Sequence, residues 1–234
     1  MIGIREYVEK KIRQYDHGLV RRSLIFAEEC LAGKKRKDGL PYIEHPVEVA
    51  YHLYIAGEKD QITLGIGLNH DDIEEVKDNE GRIMSQAEIA ERTSPEIALG
   101  TAKLTRLKRY MSYDELVLYY QDFEDEVPLV KVKHADRVSN MRRSMFGVYE
   151  QFSMKRYVFE GYHFILPQSE RLIDKGISEK DERILRVLRS QIKGLLRAAE
   201  SYVKYMEMEE HLNKIIIPKS ELLFEELGIR EEEI

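Results

Sequence analysis

The chain has 234 residues, 43% of them hydrophobic and 34% charged, with a formal net charge of −6. That is enough length for one sizeable core, and the acidic balance offers no global basic field to hold nucleic acid or an anionic membrane. A single cysteine, Cys30, excludes an intrachain disulfide framework; with no apolar run of spanning length and a charged start, MIGIREYVEKKIRQY, a reducing, cytoplasmic setting is expected.

Strand signals are nearly absent, and apolar residues recur at helical spacing. Helices are expected near 3–14, 18–32 and 46–56, the last closed by Gly57 as its C-cap. A fourth, near 60–75, runs from the apolar ITLGIGL into LNHDDIEEV. Ser85 with Glu88, and Ser112 with Glu115, match the capping-box pattern and open helices near 86–93 and 113–124. Between them Ser94-Pro95 opens one near 95–107, and Pro128 begins another near 128–139. Further helices are expected near 152–165, 179–210 and 219–227, followed by the acidic IREEEI. The long 179–210 segment repeats apolar residues every three or four positions, so one face should pack on the remainder. The class is all-α.

In LNHDDIEEV, His70 is followed at once by Asp71, Asp72, Glu74 and Glu75. On a helix, residues advance about 100° each, so His70, Asp71, Glu74 and Glu75 fall within an arc of roughly 140°. Like charges one turn apart repel, and a bound divalent cation would reverse that sign. The alternative is a solvated acidic helix end. PYIEHP sets His45 at the mouth of a helix, and VKVKHADRVSN sets Asp136 and Asn140 one turn apart. Two imidazoles and two carboxylates make a mixed N/O set suited to Mn²⁺, Fe²⁺ or Zn²⁺, an ion that acidifies its water into a nucleophile. Lys34 and Lys35 read as surface, His52 as core-facing, His134 as supporting or structural, and Cys30 as a small buried residue on the second helix.

These stretches, in this order, resemble the HD hydrolase domain of the RelA/SpoT family of (p)ppGpp enzymes. The carriers are RKDGLPYIEHPVEVA at 36–50, LNHDDIEE at 68–75, AKLTRLKRYMSYDEL at 102–116, VKHADRVSNMR at 132–142 and EGYHFILPQSERL at 160–172. The resemblance implies an HD-domain helical bundle over 1–175, with additional C-terminal helices over 176–234 packed on it. The length suggests a single-domain hydrolase without synthetase or regulatory domains. It makes His45, His70, Asp71 and Asp136 the metal ligands, with Mn²⁺ the usual ion. Glu74 and Glu75 correspond to the acidic pair that activates and orients water, Arg36 and Lys37 to a basic pair near the substrate, and Asn140 to a nucleotide contact. The implied reaction is metal-dependent hydrolysis of the 3′-pyrophosphate of ppGpp or pppGpp, giving GDP or GTP and pyrophosphate.

The chain also departs from the family pattern. Glu75 stands where aspartate is usual, Asp72 where a small or hydroxyl residue is common, and Asn69 where an apolar residue is usual. Leu31 replaces a frequent histidine and Arg143 a frequent threonine near the nucleotide. These changes leave open another phosphorylated nucleotide such as NADPH as substrate, or a nucleotide-binding regulatory module with weak catalysis.

Overall fold

Asp60, Ser85, Ser94 and Ser112 each accept a hydrogen bond from the backbone N–H three residues ahead, and each opens a helix. This satisfies donors that a helix start would otherwise leave orphaned. The computed structural model describes residues 3–36, 39–75, 84–106, 108, 111–143 and 151–227; of 151–153 and 209–227 only the backbone is considered. Among them lie α1 (Ile4–Gln14), α2 (Gly18–Cys30), α3 (Glu44–Ala56), α4 (Gln61–Asn69), α5 (Asp72–Glu75), α6 (Gln86–Arg92) and α7 (Pro95–Leu104). Then come α8 (Tyr113–Gln121), α9 (Val127–Arg143), α10 (Gln151–Glu160), a π-helical turn (Gly161–Ile165), α11 (Leu166–Asp174) and α12 (Glu179–Leu227). The described residues hold no strand, only one antiparallel bridge between Lys35 and Pro41. The all-α expectation holds.

Both capping boxes form, Pro95 sits in the first turn of α7, and Gly57 closes α3 with φ of 101°, a conformation that favours glycine. Three expected boundaries differ. The run 60–75 is interrupted at His70–Asp71, where the His70 ring takes up the Gly67 carbonyl at 2.9 Å and the helix restarts at Asp72. Residues 166–174, left without a helix by the pattern, form α11, whose Pro167 falls in the tolerated first turn. The two helices expected at 179–210 and 219–227 are one, Glu179–Leu227, a segment dominated by helix-favouring Glu, Lys, Leu and Arg. Cys30 is half-buried at the end of α2 rather than fully enclosed.

Helix α9 is the axis of the bundle. From Leu129 to Ser139 every residue is buried, as expected of a helix enclosed on all sides, with α3, α4 and α12 packed around it. Its charges are therefore paired: Lys131 with Glu58 and Asp181, Lys133 with Asp136, Arg137 with Glu160. Helices α4 and α7 cross closely enough that a methyl group on Gly65 would strike Ile97, and one on Gly100 would strike Ile66. From α12, Ile184, Leu185, Leu188, Ile192, Leu196 and Ala199 are buried, the single packed face that the spacing predicts. This packing brings the start of α3, the end of α4 and the middle of α9 together.

Candidate active site

At that junction, ligand atoms of His45, His70 and Asp136 lie within 4.8 Å of one another. His45 is in the first turn of α3, His70 at the α4 break and Asp136 in α9, so residues remote in sequence converge. His45 Nε2 stands 3.2 Å from Asp136 Oδ1 and 3.5 Å from Asp71 Oδ2. His70 Nε2 stands 3.2 Å from Asp71 Oδ1 and 3.7 Å from Asp136 Oδ1. Both rings are about 97% buried or more. The interruption of α4 matters here: Asp71 faces both imidazoles from a turn, not from the regular helix that the 140° arc assumed.

The donor set fits a divalent ion. The Gly67 carbonyl can only accept, so His70 carries a proton on Nδ1 and turns Nε2 inward, where it makes no hydrogen bond among the described residues. Burial opposes charge on this ring, yet the Asp71 and Asp136 carboxylates push its pKa up to about 9. The field at that point favours a positive charge. Burial alone would also raise Asp136, but Lys133, His45 and His70 hold it well below the ordinary carboxylate range. These four side chains could hold a divalent cation through two imidazole nitrogens and carboxylate oxygens.

The cluster forms one wall of a cleft of about 540 Å³. Glu74 and Glu75 line it beside Asp71, and so do Lys35, Arg36, Arg106, Lys108, Lys133, Arg137 and Arg156. Glu74 opens to the cleft, accepts a hydrogen bond from the Arg106 backbone N–H, and is raised to about 7 by enclosure and the nearby Asp71 charge. Arg36 donates to Asn140 Oδ1 at 3.3 Å, and Asn140 in turn donates to Asp136 Oδ1. The expected substrate contacts Arg36 and Asn140 thus sit together at the cluster; Lys37 lies outside the described residues. Lys35, read as surface, is exposed at the cleft mouth.

Sequence reasoning missed several lining groups. Tyr42 donates to Asp71 Oδ2 at 3.0 Å, and the Arg36 guanidinium lies over its ring. Lys133 Nζ sits 3.1 Å from Asp136 Oδ2; burial disfavours its charge, but the Tyr119 and Asp136 oxygens keep its pKa above the ordinary range. Arg106 and Arg137 meet on the fully buried Glu160, at 2.8 and 2.6 Å, joined there by the Tyr120 hydroxyl at 2.8 Å. Lys133 and Arg137 flank Asp136 in KHADR, so their adjacency to that aspartate was the available signal, whereas Arg106, in LTRLKR, stands next to no cluster residue.

The family departures also find places. Asn69 and Asp72 are both buried and bonded to each other at 2.9 Å, and neither lines the cleft. Arg143 donates to Glu48 at 2.7 Å, and Leu31 is in the core. Neither Leu31 nor Arg143 lines the cleft.

No family model matches the chain. Over 99% of its length it is 27% identical to a guanosine-3′,5′-bis(diphosphate) 3′-pyrophosphohydrolase of Aquifex aeolicus, and over 76% it is 26% identical to the GTP pyrophosphokinase rsh of Brucella ovis. A solved structure of a metazoan orthologue of SpoT, described as hydrolysing ppGpp with a role in starvation responses, superposes with a TM-score of 0.53. In sequence the chain is similar to RelA/SpoT proteins. The SpoT orthologue's identity is 19%, and the match covers 76% of this chain and 97% of the other, so it establishes the shared helical fold. The chain spans 33% of the Aquifex protein's length and 24% of the Brucella protein's. No helix among its described residues is long and apolar enough to cross a membrane.

Proposed function

We propose that the protein is a metal-dependent phosphohydrolase that removes the 3′-pyrophosphate of ppGpp or pppGpp, giving GDP or GTP and pyrophosphate. The observation that carries this reading is the convergence of a buried His/Asp cluster with a cation-lined cleft; the relatives' names supply the substrate. On the same reading, residues 1–175 form the hydrolase unit and 176–234 a helical extension against it.

His45, His70, Asp71 and Asp136 would hold the ion, with Mn²⁺ the proposed species. When bound, a divalent ion supplies Lewis acidity and brings the pKa of a water down toward neutrality. Glu74, open to the cleft beside Asp71, takes the proton from the attacking water, and Glu75 orients that water. The water oxygen bonds to phosphorus, the bond from phosphorus to the ribose 3′ oxygen breaks, and the proton taken by Glu74 is available to the departing oxygen. Lys133, Arg106 and Arg137, fixed by Asp136 and Glu160, present positive charge to the phosphate as negative charge builds. Arg36, with Lys37, steadies the pyrophosphate, and Asn140 contacts the nucleotide.

The test is release of pyrophosphate from ppGpp by Mn²⁺-loaded protein, run beside GTP, NADPH and other nucleotides, with a His70→Ala control. Release specific to ppGpp and abolished in the control is expected. Equal behaviour of wild type and control would overturn the assignment; preference for another nucleotide would overturn the substrate.

A further inference from the structure

Behind His45 lies a chain of buried polar groups that the proposed chemistry does not use. His45 Nδ1 is 3.0 Å from Ser139 Oγ, Ser139 Oγ is 2.8 Å from Glu48 Oε2, and Arg143 Nε is 2.7 Å from the same oxygen. His45, Ser139 and Glu48 are all buried. Glu48 follows His45 by three residues on α3, and Ser139 and Arg143 are one turn apart on α9, so the helices that carry His45 and Asp136 are also laced together behind them.

The hydrogens in this chain can be assigned by elimination. Burial would neutralise Glu48, but its bonds to Arg143 and Ser139 keep the carboxyl below its ordinary range and ionised. An ionised carboxylate only accepts, so the Ser139 hydroxyl hydrogen goes to Glu48. Ser139 Oγ can then only accept from His45, which requires the hydrogen on Nδ1. Neutral His45 is left with its lone pair on Nε2, the atom facing Asp136 and Asp71.

We propose that Glu48 and Ser139, anchored by Arg143, are positioning residues that lock His45 in the Nδ1–H tautomer and aim Nε2 at the metal. Partners of this kind fix a ligand's tautomer and orientation, and their loss typically costs 10–100-fold in metal affinity. The inference rests on reading His45 as a ligand, and it gives Arg143, an outlier against the family pattern, a role away from the nucleotide.

The test uses the full chain labelled with ¹⁵N-histidine, chelator-treated at pH 8, with His45 assigned by its loss in His45→Gln. Long-range ¹H–¹⁵N correlations should show His45 protonated on Nδ1. In Ser139→Ala the ring should become a mixture of tautomers and Mn²⁺ affinity, measured by electron paramagnetic resonance of the free ion, should fall about 10–100-fold. Ser139→Thr, which keeps the hydroxyl, should restore both. A wild-type His45 protonated on Nε2, or a Ser139→Ala protein with unchanged tautomer and Mn²⁺ affinity, overturns the proposal. The wild-type spectrum decides even where Ser139→Ala does not fold. It also separates this inference from the hydrolase reading, since protein that binds Mn²⁺ with a locked His45 yet leaves ppGpp intact would defeat only the latter.

Discussion

Asp136 serves four partners with two oxygens: Oδ1 faces both imidazoles and accepts from Asn140, and Oδ2 holds the Lys133 ammonium. Glu74, by contrast, is kept near pH 7 and open to the cleft. In the proposed mechanism, that difference separates a metal-facing carboxylate from a proton acceptor. Glu74→Gln should therefore lower kcat on ppGpp by about 10²–10⁴-fold while leaving Mn²⁺ affinity and KM within a few-fold. Steady-state kinetics beside a metal titration check this; a loss confined to metal binding would make Glu74 a ligand instead. At this scale the His/Asp cluster was legible because His70-Asp71, His45 and Asp136 stand in recognisable stretches. The cations Lys133 and Arg137 were not, because α9 is buried on every side and its periodicity marks no direction as facing the cleft. Asn69 and Asp72 look like separate anomalies in sequence; in the fold a hydrogen bond pairs them.

Helices α9 and α10 are tied at the cleft by Glu160, which binds Arg106, Arg137 and the Tyr120 hydroxyl. Removing one partner of a buried ionic cluster leaves uncompensated charge. Glu160→Ala should cost about 3–5 kcal/mol in urea unfolding; a loss below about 1 kcal/mol would show that water substitutes freely for the carboxylate. The pH dependence has a definite sign. Burial would raise the Glu160 pKa, but Arg137 and Arg106 hold it well below its ordinary 4.5. Below that value the unfolded chain binds a proton the native one refuses, so this contribution is complete above about pH 4.5 and is lost as pH falls through the native pKa. His134 acts in the same direction: burial lowers it from 6.5 to about 4, so stability falls as pH drops between those values. Urea midpoints from pH 8 to 3 should decline on the acid side, more shallowly in Glu160→Ala. Element boundaries were legible where a cap marked them, as at Ser85, Ser94 and Ser112. They were not where a side chain interrupts the backbone ladder, as His70 does, or where a proline begins a helix inside a continuous apolar run, as Pro167 does.

Across the whole molecule, a chain of net charge −6 gathers seven of its 37 Lys and Arg residues around one cleft. Composition cannot reveal this, because it sums charges that folding separates. The packing of α3, α4 and α9 places the His/Asp cluster at one wall of that cleft and the arginines of α9, α10 and the segment after α7 around the rest. Everything proposed for catalysis depends on the cluster's accepting a single ion. Anomalous diffraction at the manganese edge, from crystals grown with Mn²⁺, measures this directly. One peak in contact with His45 Nε2, His70 Nε2, Asp71 and Asp136 is the expected result; a crystal in which Mn²⁺ binds elsewhere, or leaves that junction without a peak, contradicts it.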